Sequence, residues 1–215
     1  MRRHDIAFVR PSGWRRLLQA RSDLAADPLV GPWVEKRRPL VVRRTMPGEA
    51  SGVPIGLPLP QLAGKRRLSF VIRPDDVAAS YRPPPLRLAR WAAPSAWQPT
   101  LEALGELAAA HGIDLRIFGS LAWQILTGLG YLTKGSDLDL LLNVSRHTDL
   151  AGLTTDLAAI EAQAPMRVDG ELVRGDGAAV NWREFHAGSH EILVKSMRSV
   201  GLTSRSDFLL EDAPA

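Results

Sequence analysis

The rhythm of apolar and polar positions changes near residue 100 of this 215-residue chain. Before it, periodic segments are short and proline is frequent. Pro39-Leu-Val-Val-Arg-Arg44 and Arg67-Leu-Ser-Phe-Val-Ile72 read as strands, being β-branched and bounded by turn residues. Between them, Gly52-Val-Pro-Ile-Gly-Leu-Pro-Leu-Pro60 carries prolines that argue against a regular central strand. Residues 1–85 therefore read as a basic, proline-rich, small β-containing domain. The prolines of Tyr81-Arg-Pro-Pro-Pro-Leu-Arg87 and the stretch to Pro99 predict an extended linker, set at residues 86–99.

After residue 100 the periods lengthen. Thr100 can cap a helix whose Leu101, Leu104, Leu107 and Ala108 share one face, ending at His111-Gly112. Leu115-Arg-Ile-Phe118 is a short strand running straight into Gly119-Ser120. Leu121-Ala-Trp-Gln-Ile-Leu-Thr127 reads as a helix stopped by Gly128 and Gly130. Asp137-Leu-Asp-Leu-Leu-Leu-Asn143 alternates and then becomes apolar throughout, as a central strand does. An amphipathic helix follows from Leu150 to Ala162. Three more strands are expected: Met166-Arg-Val-Asp169 continuing through Glu171-Leu-Val173, Ala178 to Trp182, and Glu191 to Lys195. Residues 100–204 thus predict an α+β catalytic domain, a mixed sheet with helices on one face. Residues 205–215 read as a poorly ordered tail.

Charge follows the same division. Residues 1–100 hold 18 Lys and Arg against 7 Asp and Glu, and the rest hold 9 against 16, within a net charge of +4. A basic half beside an acidic half suits a polyanion held between cations and metal-binding carboxylates; solvated surface charge from an arginine-rich composition is the plainer account. The absence of cysteine removes disulfides, thiolate metal sites and cysteine nucleophiles, and suits a reducing cytoplasm. Met-Arg-Arg-His-Asp leads into no long apolar run, and no stretch reaches the length that spans a bilayer. A cytoplasmic protein without membrane contact is expected.

The chemistry centres on Asp137-Leu-Asp139. Side chains at i and i+2 of a strand share a face, so both carboxylates point together, and a divalent cation between oxygen ligands relieves their repulsion. Magnesium fits such a pair. Gly119 permits a tight turn after a buried strand, and Ser120 at the following helix start can cap it while its hydroxyl reaches a phosphate. The free N–H groups of that helix are a ready phosphate cradle. Lys195 can meet a triphosphate or simply end an exposed strand. Arg183-Glu184 can form an internal ion pair or face substrate. His111, His147, His186 and His190 share no metal-ligand spacing and read as structural or surface residues.

The order strand, Gly-Ser, helix, short connection, strand bearing Asp-x-Asp resembles the signature of the DNA polymerase β-like nucleotidyltransferase superfamily. The sixteen residues between Ser120 and Asp137 are more than that superfamily usually shows, and the connection Gly128–Gly135 can absorb them. The superfamily often adds a third carboxylate from a neighbouring strand. Asp169 and Glu171 are the candidates, with Asp169 preferred because it follows apolar Val168; a hairpin at Asp169-Gly170 with exposed acids is the alternative.

Longer segments narrow the resemblance. Pro39–Arg44, Gly56-Leu-Pro58, Phe118-Gly-Ser-Leu-Ala-Trp-Gln124, Leu126-Thr-Gly128, Ser136-Asp-Leu-Asp-Leu140, Val168-Asp-Gly-Glu-Leu172, Val180-Asn-Trp-Arg-Glu184 and Leu193-Val-Lys-Ser196 occur together. Taken as a set, from about His4 to Ser196, they resemble the phosphoribosyl-dephospho-CoA transferase family of the bacterial malonate decarboxylase system, also called its holo-acyl-carrier-protein synthase. The resemblance implies a triphosphoribosyl-dephospho-CoA donor, a serine acceptor on the apo-acyl carrier protein, and release of diphosphate. Two magnesium ions on Asp137, Asp139 and Asp169 would serve that chemistry, with Gly119, Ser120, Lys195 and Arg183 toward the donor. Arg43, Arg44 and Lys65 to Arg67 are placed by charge alone against the donor phosphates or an acidic carrier. Two other classes remain as alternatives: a nucleotidyltransferase using a nucleoside triphosphate on a small molecule or protein, and a non-catalytic nucleic-acid-binding module. The second lacks a recognition helix or stacked-aromatic motif, so no nucleic-acid partner is expected.

Overall fold

The computed structural model describes residues 1–208. They form two compact units, residues 1–83 with 126–130, and residues 84–125 with 131 onward. Both mix helices with a sheet, and the fold is α+β.

The first unit is built on an antiparallel five-stranded sheet. Its elements are β1 (Ile6–Val9), α1 (Pro11–Gln19), α2 (Ser22–Ala25), β2 (Leu40–Val42), β3 (Val53–Pro58), β4 (Arg67–Ile72) and β5 (Val77–Tyr81), in sheet order β4-β3-β2-β1-β5. Trp14 of α1 is buried edge-on against Phe70 of β4, and its indole N–H is satisfied by the Gly31 carbonyl at 3.1 Å. The β3 strand corrects the expectation that proline excludes a central strand from residues 52–60. It lies inside the sheet because Pro54 and Pro58 flank the two residues that pair with short β2, Ile55 with Val42 and Gly56 with Val41. At Pro54 the Arg43 N–H just past β2 still donates to the carbonyl at 3.0 Å, and Pro58 lies beyond the residues paired with β2, so the sheet tolerates the missing N–H groups.

The second unit contains α3 (Gln98–Ala110), β6 (Asp114–Ile117), α4 (Gly119–Thr127), β7 (Leu138–Asn143), α5 (Leu150–Glu161), β8 (Val168–Val173), β9 (Ala179–Asn181), α6 (Trp182–His186), β10 (Glu191–Lys195) and β11 (Val200–Ser204). The sheet order is β11-β10-β9-β8-β7-β6, with β7 and β8 parallel and the other pairs antiparallel. Alternation sorts the two faces. Ile117, Leu138, Leu140, Leu142, Leu172 and Val180 are fully buried in one core with residues of α3, α5 and α6. Each such side chain contributes about 2 kcal/mol of apolar burial. The opposite face carries Arg116, Asp139, Asp169, Glu171 and Asn181, around a small apolar cluster of Leu141, Val173 and Ala179. The helices thus occupy one face and leave the polar residues on the other.

Several local expectations shift. The stretch expected as an extended linker instead forms 3-10 turns at Leu86–Trp91 and Ser95–Trp97, with Leu86, Ala89 and Trp97 buried in the second unit's core. Helix α3 starts at Gln98, with Pro99 in the first turn, so Thr100 lies inside it. The apolar run at 178–182 divides: Asn181 accepts a hydrogen bond from the Arg183 N–H at 2.9 Å and caps α6, which begins at Trp182. Strand β11 was unanticipated; the turn at Ser196–Ser199 folds it onto β10. Phe208, expected in a loose tail, is buried beside Phe185, and its carbonyl accepts from Arg174 at 2.7 Å. The rest of that tail, residues 209–215, lies outside the described residues. Among the described residues no helix is long and apolar enough to cross a membrane.

Candidate active site

The polar face gathers chemistry where β6 turns into α4. The Phe118 N–H donates to the Asp139 carbonyl at 3.0 Å, which continues the β6–β7 ladder to the turn itself. Gly119 follows with φ 64°, a left-handed conformation that glycine adopts without strain. A Cβ built on Gly119 would stand 1.7 Å from Oδ2 of Asp139 and 2.5 Å from its Cγ. The Asp139 carboxylate therefore lies against the glycine, at the beginning of α4. Here glycine is needed twice, for the turn and for the space.

Asp169 is brought in by register. In the parallel β7–β8 ladder Asp139 is the direct partner of Asp169, and Leu141 that of Glu171. Partners in adjacent strands share a face at a spacing of about 4.8 Å, so the two aspartates stand side by side. Like charges set side by side in this way repel, and a cation between them would relieve that repulsion. Asp137, half-buried, immediately precedes β7, two positions from Asp139, and makes no hydrogen bond among the described residues. The ladder begins beside it, where the Leu138 N–H meets the Arg167 carbonyl at 2.9 Å.

Asp169 has defined partners. Its Oδ1 accepts from the Gly170 N–H at 3.0 Å and from Asn181 Nδ2 at 3.0 Å. The strand runs unbroken from Val168 to Val173, so residues 169–170 form no hairpin. Gly170 is needed on the other face, where an added Cβ would meet Trp182 Cδ1 at 3.3 Å and Leu140 O at 3.2 Å. Trp182 fills that space and donates to the Val168 carbonyl at 3.0 Å. Glu171 is buried, one row further along the strand and opposite Asn181.

The donor set fits a hard cation in kind, since all its atoms are carboxylate oxygens on neighbouring strands. Among the described residues no three His, Asp or Glu side chains already stand together as a metal cage. The side-by-side pair of Asp139 and Asp169 is what the fold supplies, with Asp137 adjacent in sequence.

The other candidates lie as follows. Ser120 is half-buried in the first turn of α4 rather than at its cap. The long connection after α4 is tied back by Gln124, whose Oε1 accepts from both Tyr131 and Leu132 N–H at 3.2 Å. Lys195 shares the polar face, but its register partner Ala179 pairs with Val173, four residues past Asp169. Four residues along and two strands across place it roughly 16 Å from Asp169. Arg183 forms an internal ion pair, with Glu161 rather than Glu184, and both its terminal nitrogens donate to the Val168 carbonyl, at 3.0 and 2.9 Å. Glu184 accepts from the Leu193 N–H at 2.6 Å.

In the first unit, Arg43 bridges the β2–β3 loop, donating to the carbonyls of Ile55, Arg44 and Phe70 and pairing with Glu49. That guanidinium, then the Met46 N–H, lowers the Glu49 carboxyl to about 2. Arg66 pairs with Asp27 at 2.7 Å. Arg44 is half-buried with no side-chain hydrogen bond among the described residues. Asn181 is the residue whose importance the sequence did not signal; it sits in the Val180–Glu184 segment, but only the β8–β9 pairing brings it to Asp169.

A face of this kind suits group transfer, and comparison with known proteins shows an enzyme of the transferase class. Residues 2–83 match the phosphoribosyl-dephospho-CoA transferase MdcG N-terminal domain, and residues 85–206 the MdcG C-terminal domain. A phosphoribosyl-dephospho-CoA transferase of Bradyrhizobium diazoefficiens is 53% identical over 207 residues, covering 96% of this chain and 92% of the relative. One from Xanthomonas euvesicatoria is 37% identical, covering 95% and 94%. One from Pseudomonas putida is 33% identical, covering 82% and 84%. The chain belongs to the phosphoribosyl-dephospho-CoA transferase family. No solved structure matches it.

Proposed function

We propose that the protein transfers the phosphoribosyl-dephospho-CoA group from triphosphoribosyl-dephospho-CoA to a serine of the malonate decarboxylase acyl carrier protein. The relatives' shared name supports the transferred group, and the MdcG family supports the malonate decarboxylase setting. The observation that carries the mechanism is the Asp139–Asp169 pair beside Gly119, at the start of a nine-residue helix.

In this reading the serine Oγ bonds to the phosphorus nearest the ribose. The bond from that phosphorus to the oxygen bridging to the next phosphate breaks, and diphosphate leaves with the electron pair. Asp169 takes the serine proton. Asp137, Asp139 and Asp169 would hold two magnesium ions, which when bound supply positive charge against the triphosphate. The first-turn N–H groups of α4 and the Ser120 hydroxyl hold the departing diphosphate. Lys195, at its distance, reaches only a remote part of the donor, and Arg44 offers charge to donor phosphates or an acidic carrier. Arg43 and Arg183 support their own units through the bonds described above. The order of carboxylates along the sheet favours a superfamily relationship to the DNA polymerase β-like nucleotidyltransferases. A cytoplasmic location accords with a chain free of cysteine.

The test is reconstitution. The full chain, magnesium, triphosphoribosyl-dephospho-CoA and apo-carrier should yield a carrier heavier by the phosphoribosyl-dephospho-CoA group on one serine. Asp137→Ala and Asp139→Ala should abolish the gain. Modification with ATP in place of the CoA-derived donor would reject this donor.

A further inference from the structure

We propose that Asn181 is a positioning residue for the reaction: it clamps Asp169 so that a single carboxylate oxygen, Oδ2, faces Asp139. The inference rests on the catalytic reading given above. Asn181 Nδ2 and the Gly170 N–H both donate to Oδ1 of Asp169, each at 3.0 Å. Among the described residues Oδ2 receives no hydrogen bond. One oxygen is therefore anchored, and the other is left for the cation and the incoming hydroxyl.

The clamp is itself held. Asn181 Oδ1 accepts from the Arg183 N–H at 2.9 Å as the cap of α6, so its amide cannot rotate without uncapping that helix. With oxygen committed to the helix, nitrogen must face Asp169. The residue is suited to both tasks because it is an amide: an aspartate could cap but could not donate. Arg183 braces the same point from the other direction through the Val168 carbonyl, one residue before Asp169. Helix α6, five residues long, thereby sets the geometry of a carboxylate it does not carry.

This arrangement also separates Asp169 from Glu171. Register sets Asp169 opposite Asp139, whereas Glu171 lies opposite Leu141 and Asn181. The amide of Asn181 turns toward the first of the two acids.

Two substitutions separate positioning from capping. Asn181→Ser keeps a good helix cap but is too short to reach Asp169, and Asn181→Ala removes both functions. Each should lower kcat for carrier modification about 10- to 100-fold while leaving KM for the carrier unchanged. Manganese binding to the full chain, followed by electron paramagnetic resonance, should weaken by a similar factor in both. Only Asn181→Ala should lower the melting temperature. Wild-type kcat and manganese affinity in Asn181→Ser would overturn the proposal, even if Asn181→Ala unfolds. Full activity in Asp169→Ala would instead overturn the underlying catalytic reading, which keeps the two failures distinct.

Discussion

Replacing Gly119 by alanine places a methyl group where the Asp139 carboxylate stands. The added Cβ would lie 1.7 Å from Oδ2, and real contacts of this kind essentially never fall below 3.0 Å. The oxygen must therefore withdraw by at least about 1.3 Å, the difference between those two distances. A carboxylate can rotate away, so the steric term in stability is small, but Asp139 is then displaced from Asp169 and from the start of α4. A displacement of about 1 Å can lower a rate about 100-fold when catalysis depends on positioning. Backbone strain adds a separate effect. A left-handed alanine is disfavoured by about 1–2 kcal/mol, which corresponds to a fall of about 2–8 °C in melting temperature for a chain of this size. Gly112 supplies the control: its φ is 61°, and nothing lies within 4 Å of a Cβ built there. Gly112→Ala and Gly119→Ala should melt at similar temperatures, and only Gly119→Ala should lose carrier modification, by about 100-fold. Equal activity in the two variants would refute the placement of Asp139 as a reacting-centre residue.

Three further outcomes are expected. Magnesium at 100 times its Kd should stabilise the native chain by about 2.7 kcal/mol, seen as a raised melting temperature; Asp169→Ala should remove that rise, and an unchanged rise would discount Asp169 as a ligand. The Glu49 carboxyl, held near 2 instead of 4.5 chiefly by Arg43, contributes stability that is complete above pH 4.5 and fades as pH falls toward 2. Arg43→Met should thus lose less stability than wild type between pH 5 and 2 in acid titrations followed by circular dichroism, and parallel curves would contradict the pairing. Arg183→Met removes the charged partner of Glu161 and two of the donors to the Val168 carbonyl, leaving Trp182 on that carbonyl and the Val168 N–H on Glu161, and should destabilise the chain by about 1–3 kcal/mol in urea denaturation, an unchanged midpoint counting against the ion pair.

The strands of the second unit were readable because apolar residues recur on every second position or run unbroken. Asp114–Ile117, Leu138–Asn143, Val168–Val173 and Glu191–Lys195 all fall close to where that pattern puts them. The elements that escaped were short ones decided by a side chain. Asn181 turns an apolar run into α6, the Ser196 turn creates β11, and buried Leu86, Ala89 and Trp97 fold the proline-rich stretch into 3-10 turns. Proline misled at β3, because whether a missing N–H matters depends on which neighbour faces it: β2 ends before Pro58, and Pro54 keeps one backbone bond, accepted from the Arg43 N–H.

By itself the sequence determined the α+β class of the chain, the Gly119 turn and the presence of an Asp-x-Asp pair at the start of an apolar strand. Those features follow from local rules: period, turn chemistry and the alternation of side chains on a strand. Only the tertiary structure decided that Asp169 faces Asp139, that the Asp139 carboxylate rests on Gly119, and that Asn181 reaches across from another strand. Each of these depends on strand register, and register is set by how whole elements bury their apolar faces together, which no single stretch of the chain specifies.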